Sequence, residues 1–506
     1  MISKFIKIIT VLVVLPYTAI AGTAEKKFQN QLKAMGYDVG VIDGIIGSKS
    51  IAAYRKALTA NSLSFDGKID ENDYAILEKI YSEQTKSSVT KIENCKYLTK
   101  SGISRSKLVV PHRGEMLNVP SAIVQTTFGK DLLYTLVFPH KVRSKPEYTE
   151  GFGLTSCGNK MNYLGTLGVD LNMVRDSVEI KLSNGKTGVV IAETGGEYPH
   201  ANPKIWEHGK VWLAQLENNK ISIKVLENRL AFFHSVTTGD INGDGFDDVI
   251  VQYFTSRDNL LKNNGFLLFL QQDNEGNFKR VKPPMKNSTF GSAVLLTNLD
   301  DDVELEIVQA GYKKPVPRFK GGFKIYDKTN NRFKKKIEIK RENLLAKGSG
   351  VSKISSMDFD NDGDNDLLLQ AEAKGKGLLL YENLGDFSFS LREDLFEDLS
   401  SDTSIFQWRE AVVTDVNNDG FQDIVLNGWG GKEWFENNIG AAVFINRQGK
   451  TFERQIKKRK LHQQEQHSYP AYFKYYKYED MNSFMFFGLN GMIKQIFIPE
   501  SIFSDE

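Results

Sequence analysis

One acidic phrase, repeated four times at nearly constant spacing, constrains this chain more than any other feature. DINGDGFDDVIVQY starts at Asp240, NLDDDVELEIVQAG at Asn298, DFDNDGDNDLLLQAE at Asp358 and DVNNDGFQDIVLNGW at Asp415, so the copies stand 58, 60 and 57 residues apart. A period of that length, with several strands per unit, predicts propeller blades: one blade cannot bury both of its faces, and a ring of blades can. Each unit reads alike. An apolar strand A enters the acidic loop and strand B leaves it. Strand C is GFLLFLQQ, GGFKIYD, GLLLYEN or AAVFINR, and a turn such as 274–277 or 448–450 leads to a short strand D. GVVIAET, KVWLAQL and KISIKVL belong to an earlier, degenerate unit, and FMFFGLN and IKQIFIP close the last one. Dividing residues 95–506 by the period predicts a mainly β fold, a propeller of about seven blades, with six and eight left open.

The acidic phrase is D-x-[DN]-x-D-G-x-x-D. Positions one, three, five and nine are Asp240, Asn242, Asp244 and Asp248 in one copy. They are Asp358, Asp360, Asp362 and Asp366 in another, and Asp415, Asn417, Asp419 and Asp423 in a third. Hard oxygen donors at this spacing can wrap one calcium ion, with the backbone carbonyl of position seven as a further donor. Gly245, Gly363 and Gly420 fill position six, where the chain has to turn sharply. An EF-hand is excluded, because it needs a bidentate Glu at position twelve and flanking helices. Position twelve is Val251, Leu369 or Leu426, each inside a strand pattern. The copy at Asn298 keeps oxygen donors at Asn298, Asp300, Asp302 and Glu306 but has Val303 in place of the glycine, so whether it binds metal stays open. The loops resemble those of FG-GAP/VCBS repeats, as in integrin α-subunits. That resemblance implies a calcium-stapled propeller in which the ion is structural, since sites filled by protein donors leave little room for a substrate.

Strand direction alternates within a blade, so the A–B loops share one face and the B–C loops the other. The B–C segments carry Arg257; Tyr312, Lys313, Lys314, Arg318 and Lys320; Lys374 and Lys376; and Trp429, Lys432 and Trp434. Aromatic platforms among cations suit a carbohydrate or an anionic polymer. Inter-blade packing of the tryptophans and ordinary solvated lysines are the competing account. No G-x-S-x-G, H-E-x-x-H or phosphate loop is present. His462, Glu465 and His467 read as surface residues beside the basic run 457–460, because positions 462 and 467 face opposite sides of a strand. A binding or scaffold protein with a glycan or protein ligand is therefore expected, and a propeller-framed polysaccharide lyase or hydrolase is the alternative. With 65 Lys+Arg against 63 Asp+Glu, no global charge points to nucleic acid.

The ends complete the reading. Lys4 and Lys7 precede the apolar run from Ile8 to Leu15, followed by Pro16 and Ala19-Ile20-Ala21. That order predicts a signal peptide over 1–21, hence a periplasmic or secreted protein. The run is too short to anchor in a bilayer, and no later segment is long and apolar enough to cross one. Residues 25–82 read as three short helices with two Asp-Gly turns. Gln29, Leu32, Gly36-Tyr37, Asp43-Gly44, Gly47, Ser50, Ala52-Ala53, Asn61, Leu63, Asp66-Gly67 and Asp70 resemble the peptidoglycan-binding-domain-1 family. Ala57-Leu58 stands where that family has Phe-Gln, and Ser48 where it has Pro. The resemblance implies targeting to peptidoglycan; a spacer that no longer binds glycan is the other reading. Ser50 and Asp70 are expected to cap helices. Residues 83–94 read as a linker. Cys95 and Cys157 are the only cysteines. In an exported chain they form either one disulfide or two separate buried thiols.

Overall fold

The structure is a computed structural model. It describes residues 21–89 and 104–503, apart from isolated positions and the stretches 110–119, 130–131, 140–149, 158–159, 196–207, 257–264, 286–290, 312–320, 342–349, 373–377, 397–406, 430–442, 455–469, 479–480 and 489–491. Residues 1–20 of the proposed leader, residues 90–94 of the proposed linker, Cys95, and His462 with its neighbours lie outside these residues, whereas 83–89 of that linker are helical and end the third helix. Two compact units divide the chain, 1–91 and 92–506.

The first unit is three helices, α1 (Ala21–Ala34), α2 (Ser48–Ala60) and α3 (Glu71–Val89). Their apolar faces meet in one cluster of Phe28, Leu32, Tyr54, Ala57, Leu58, Leu77 and Ile80. Gln29 is buried and ties the first turn: its Nε2 donates to the Ile45 carbonyl at 3.1 Å, and its Oε1 accepts the Gly44 N–H at 2.9 Å. Gly44 sits at φ 84°, a region that a side chain disfavours. Asp70 caps α3 by accepting the Asn72 N–H at 2.9 Å, and Asp73 reaches back to the Asp70 N–H at 2.8 Å, a reciprocal capping box. Ser50 does not cap. Gly47 takes that position without a side-chain bond, and Ser50 lies buried inside α2, 3.3 Å from Gln29 Nε2.

The second unit is a seven-bladed propeller. Six blades are four-stranded antiparallel sheets, at 120–170, 174–227, 232–281, 293–341, 350–392 and 407–454. The seventh consists of Pro470–Tyr478, Met481–Gly488 and Met492–Pro499, completed on its outer side by the early strand Ser104–Val109. Ser104 pairs with Phe497 and Val109 with Met492, so one sheet joins the two ends of the propeller and closes the ring. Backbone pairing between blades six and seven is a single bridge, Gly428 to Phe473, while Ile424 and Phe444 of blade six share a hydrophobic cluster with Tyr475, Phe484 and Ile496 of blade seven.

Blade packing explains why the strands do not alternate apolar and polar. Asp248–Phe254 and Glu306–Gly311 are buried at every position, because both faces of a blade lie against neighbours. Hydrophobic clusters sit between consecutive blades. Ile250, Leu267 and Phe269 of blade three meet Val294, Ile307 and Tyr326 of blade four. Val308, Phe323 and Ile325 of blade four meet Leu367, Leu369 and Leu379 of blade five. Ile123, Val137 and Phe152 of blade one meet Met485 and Ile493 of blade seven.

First strands of successive blades touch around the axis, linked by hydroxyls. Ser292 Oγ donates to the Val351 carbonyl at 3.0 Å, and Thr237 Oγ1 accepts the Leu296 N–H at 3.0 Å. Most of these strands carry a bulge, which re-aims the next side chain. The register shifts immediately before Asp176, Lys353 and Glu410. These three then meet at the axis: Lys353 Nζ lies 2.8 Å from Asp176 of blade two and 3.2 Å from Glu410 of blade six. Lys474 of blade seven also pairs with Glu410. Burial alone would lower the Lys353 pKa; the Asp176 and Glu410 carboxylates overcome it and hold the ammonium well above its ordinary value.

Candidate cation sites in the acidic loops

All four acidic phrases connect the first strand of a blade to its second, in blades three, four, five and six. In each, position nine opens the second strand and is buried: Asp248, Glu306, Asp366 and Asp423. The aspartates there are tied at both oxygens. Asp366 accepts the Phe359 N–H at 3.0 Å on one and the Asn383 N–H at 2.8 Å on the other. Asp423 does the same with Val416 and Asn446, each at 2.7 Å. Asp248 accepts the Gln272 N–H at 2.8 Å and a further backbone bond from Ile241. Desolvation pushes these carboxyls up against those bonds, Asp248 to about 6 and Asp366 and Asp423 to about 7, with the loop's own aspartates adding to the rise. A cation would remove that cost, because it favours the charged form.

Position one is spent mainly on the turn. Asp240 accepts the Gly243 and Gly245 N–H groups at 2.7 Å, Asp358 the Gly363 N–H at 3.1 Å, and Asp415 the Gly420 N–H at 2.9 Å. Gly245, Gly363 and Gly420 have φ of 87°, 100° and 92°, so position six needs glycine for the reason expected. Asp244, Asp362 and Asp419 at position five accept the N–H two residues on. Asn242 and Asn417 at position three donate to the position-five carboxylate at 2.8 and 2.9 Å.

The loops differ in how far their carboxylates converge. In blade five, Asp358, Asp360 and Asp366 bring oxygens within 4.8 Å of one another, and Asp360 Oδ1 is buried without a hydrogen-bond partner. That donor set fits a calcium ion, which takes six to eight oxygens in flexible geometry. Blades three and six have Asn at position three, and among the described residues their carboxylates do not gather in this way.

A second feature escaped the sequence reading. The residue ending the third strand latches each loop to the preceding blade. Asn383 Nδ2 donates to the Leu299 carbonyl at 3.0 Å, Asn446 Nδ2 to Phe359 at 2.6 Å and Gln272 Nε2 to Lys181 at 3.3 Å; in blade seven Asn482, near the start of the second strand Met481–Gly488, makes the equivalent bond to Val416 at 3.0 Å. Three of these acceptors, Leu299, Phe359 and Val416, are position two of an acidic loop. The signal was the recurring amide in LQQ, YEN and FIN.

The B–C segments holding Lys313, Lys314, Arg318, Lys320, Lys374, Lys376, Lys432 and Trp434, with Arg257, lie outside the described residues, as does the Trp429 side chain.

Residues 358–426 match the FG-GAP-like repeat family and residues 232–257 the FG-GAP repeat family. The propeller therefore carries FG-GAP repeats. No curated protein matches the chain. Among solved structures, BBS1N in its complex with ARL6DN is similar at 11% identity and a TM-score of 0.41, covering 78% of this chain and 98% of that one. A protein from Lactobacillus plantarum is similar at 12% identity and a TM-score of 0.35, covering 61% of this chain and 80% of that one.

Proposed function

We propose that this seven-bladed propeller of FG-GAP repeats is an exported cell-envelope binding protein, directed to the wall by its helical unit and held rigid by calcium. The propeller then presents glycan or protein ligands with the face opposite its acidic loops. The observation that carries the calcium reading is the convergence of Asp358, Asp360 and Asp366 around a buried, unpartnered Asp360 oxygen. Export rests on the leader pattern of residues 1–21, and among the described residues no helix is long and apolar enough to cross a membrane.

Wall targeting rests on the two Asp-Gly turns and on a helical unit that is compact by itself. The fragment 22–82 is expected to co-sediment with purified sacculi. If the mature chain pellets while the fragment stays in solution, targeting belongs to another part of the molecule.

Ligand capture rests on the cations of the B–C segments, on a chain whose net charge is only +2. Acidic polysaccharides are expected to bind, with affinity falling as salt shortens the Debye length, about 10 Å at 0.1 M. Trp429 and Trp434 would add a part that salt does not weaken. Lys313→Glu/Lys314→Glu should reduce binding at low salt, and Trp429→Ala should reduce it at high salt. Equal binding by the parent and both variants across the salt series would remove this face from consideration.

A further inference from the structure

Blade three carries a cavity at the end of its sheet away from the acidic loop. Its volume is about 360 Å³, within the range of small-ligand sites, and Arg229, Tyr253, Phe266, Arg280, Lys282 and Met285 contribute to its walls. Tyr253 stands near the end of the second strand, Asp248–Phe254, and Phe266 begins the third, Phe266–Gln272, so both belong to the B–C end of the blade. Arg229 comes from the connection between blades two and three, and Lys282 and Met285 from the connection between blades three and four. That second connection is pinned. The Phe333 N–H of blade four donates to the Pro284 carbonyl at 2.8 Å, and Met285 pairs with Phe333. A wall fixed before a ligand arrives spares part of the ordering cost of binding.

Charge around this cavity is out of balance. Glu227, whose side chain is 3% exposed, holds Arg280 through two hydrogen bonds of 2.8 Å and lies 3.6 Å from Arg229 Nε. Its Oε1 also accepts the Asn228 and Arg229 N–H groups, at 3.0 and 2.9 Å. One saturated carboxylate therefore serves two guanidiniums. Lys282 makes no ion pair, and no carboxylate lines the cavity, among the described residues. Donors are left over as well. Arg229 Nη1 donates to the Tyr253 hydroxyl at 2.7 Å, and Arg229 Nε is buried with no hydrogen-bond partner. Tyr253 accepts that bond, and its own O–H has no acceptor among the described residues. Unspent donors and surplus positive charge favour an anion. The Tyr253 and Phe266 rings, 5.7 Å apart and tilted by 32°, set apolar faces beside those donors, which suits a ring-shaped ligand over a bare inorganic ion.

On the reading of this face as the one that captures glycan, we propose that the cavity seats one acidic sugar unit. The sugar's carboxylate accepts from the Tyr253 hydroxyl, the Arg229 guanidinium and the Lys282 ammonium, and its ring lies against Tyr253 and Phe266. Glu227 positions the two arginines and does not touch the ligand.

The test is binding of cellobiouronate to the mature full-length chain, followed by NMR titration at low salt. Cellobiose has the same two rings without the carboxylate, and acetate has the carboxylate without a ring; alginate serves as a long acidic polysaccharide. The parent is expected to bind cellobiouronate more tightly than either control. Arg229→Gln should weaken that binding by roughly tenfold, the order expected for a hydrogen bond to a charged group. Lys282→Gln should weaken it by a smaller factor that shrinks as salt rises. Because Lys282 makes no internal ion pair, its effect is not a loss of fold. Failure to bind cellobiouronate, equal affinity for cellobiose or acetate, or parent-like binding by both variants overturns the cavity as an acidic-sugar site; alginate binding in those cases leaves the wider glycan-binding face standing. If alginate and the disaccharide both fail to bind, the two readings fall together.

Discussion

Chelation with EGTA lowers the melting temperature of the mature chain, and calcium restores it more fully than magnesium. A ligand that binds only the folded state stabilises by RT ln(1+[L]/Kd), about 2.7 kcal/mol per site at a hundredfold excess over Kd. The position-nine carboxylates make the effect larger than for an exposed acidic turn. Asp366 and Asp423 are about 1% exposed or less, and each begins a strand that is central to its blade. Because Asn383 and Asn446 tie neighbouring loops together, loosening one loop weakens the contact to the next blade. Asp362→Ala should lower the calcium stoichiometry by one and carry part of the melting shift. Melting curves that coincide with and without chelator would remove the calcium reading of the regular loops.

Lys353→Ala should lower the denaturation midpoint sharply, by the equivalent of about 3 kcal/mol, the lower end for breaking a buried ion pair. The lower end applies because a fifth of the Lys353 side chain, 21%, remains exposed, whereas Asp176 keeps only 8%. Removing the ammonium leaves Asp176 and Glu410 on either side of the gap, with Lys474 paired to Glu410. Asp176 is also the acceptor for the Ser235 hydroxyl and the Val236 N–H, both at 3.0 Å, so its repulsion disturbs blade three as well. Lys353→Arg, which keeps the charge, should recover part of the loss. A Lys353→Ala midpoint equal to that of the parent would show that water replaces the ammonium at no cost.

The seven blades were legible because the repeat is carried by residues whose backbone demands are local. Gly245, Gly363 and Gly420 have to sit at a left-handed turn whatever surrounds them, and a 58-residue period can then be counted directly. The three helices were legible for the same reason, through apolar spacing and the Asp70 cap. Ser50 was misplaced as a cap because its hydroxyl answers to Gln29, a residue 21 positions away, and not to the helix end.

The sequence by itself determined what each short segment does within its own few residues: where the strands run, which loops turn on glycine, and which positions carry carboxylates. Only the tertiary structure decided which of those carboxylates meet. Asp327 lies 25 residues beyond Asp302 and joins it because antiparallel pairing sets Ile307 opposite Tyr326, one residue from each of Glu306 and Asp327. Closure by Ser104–Val109 against Met492–Pro499 joins segments at opposite ends of the propeller. The charge network at the axis joins blades two, five, six and seven. Such partners depend on the register of strands and the curvature of the ring, and no local pattern of residues encodes either.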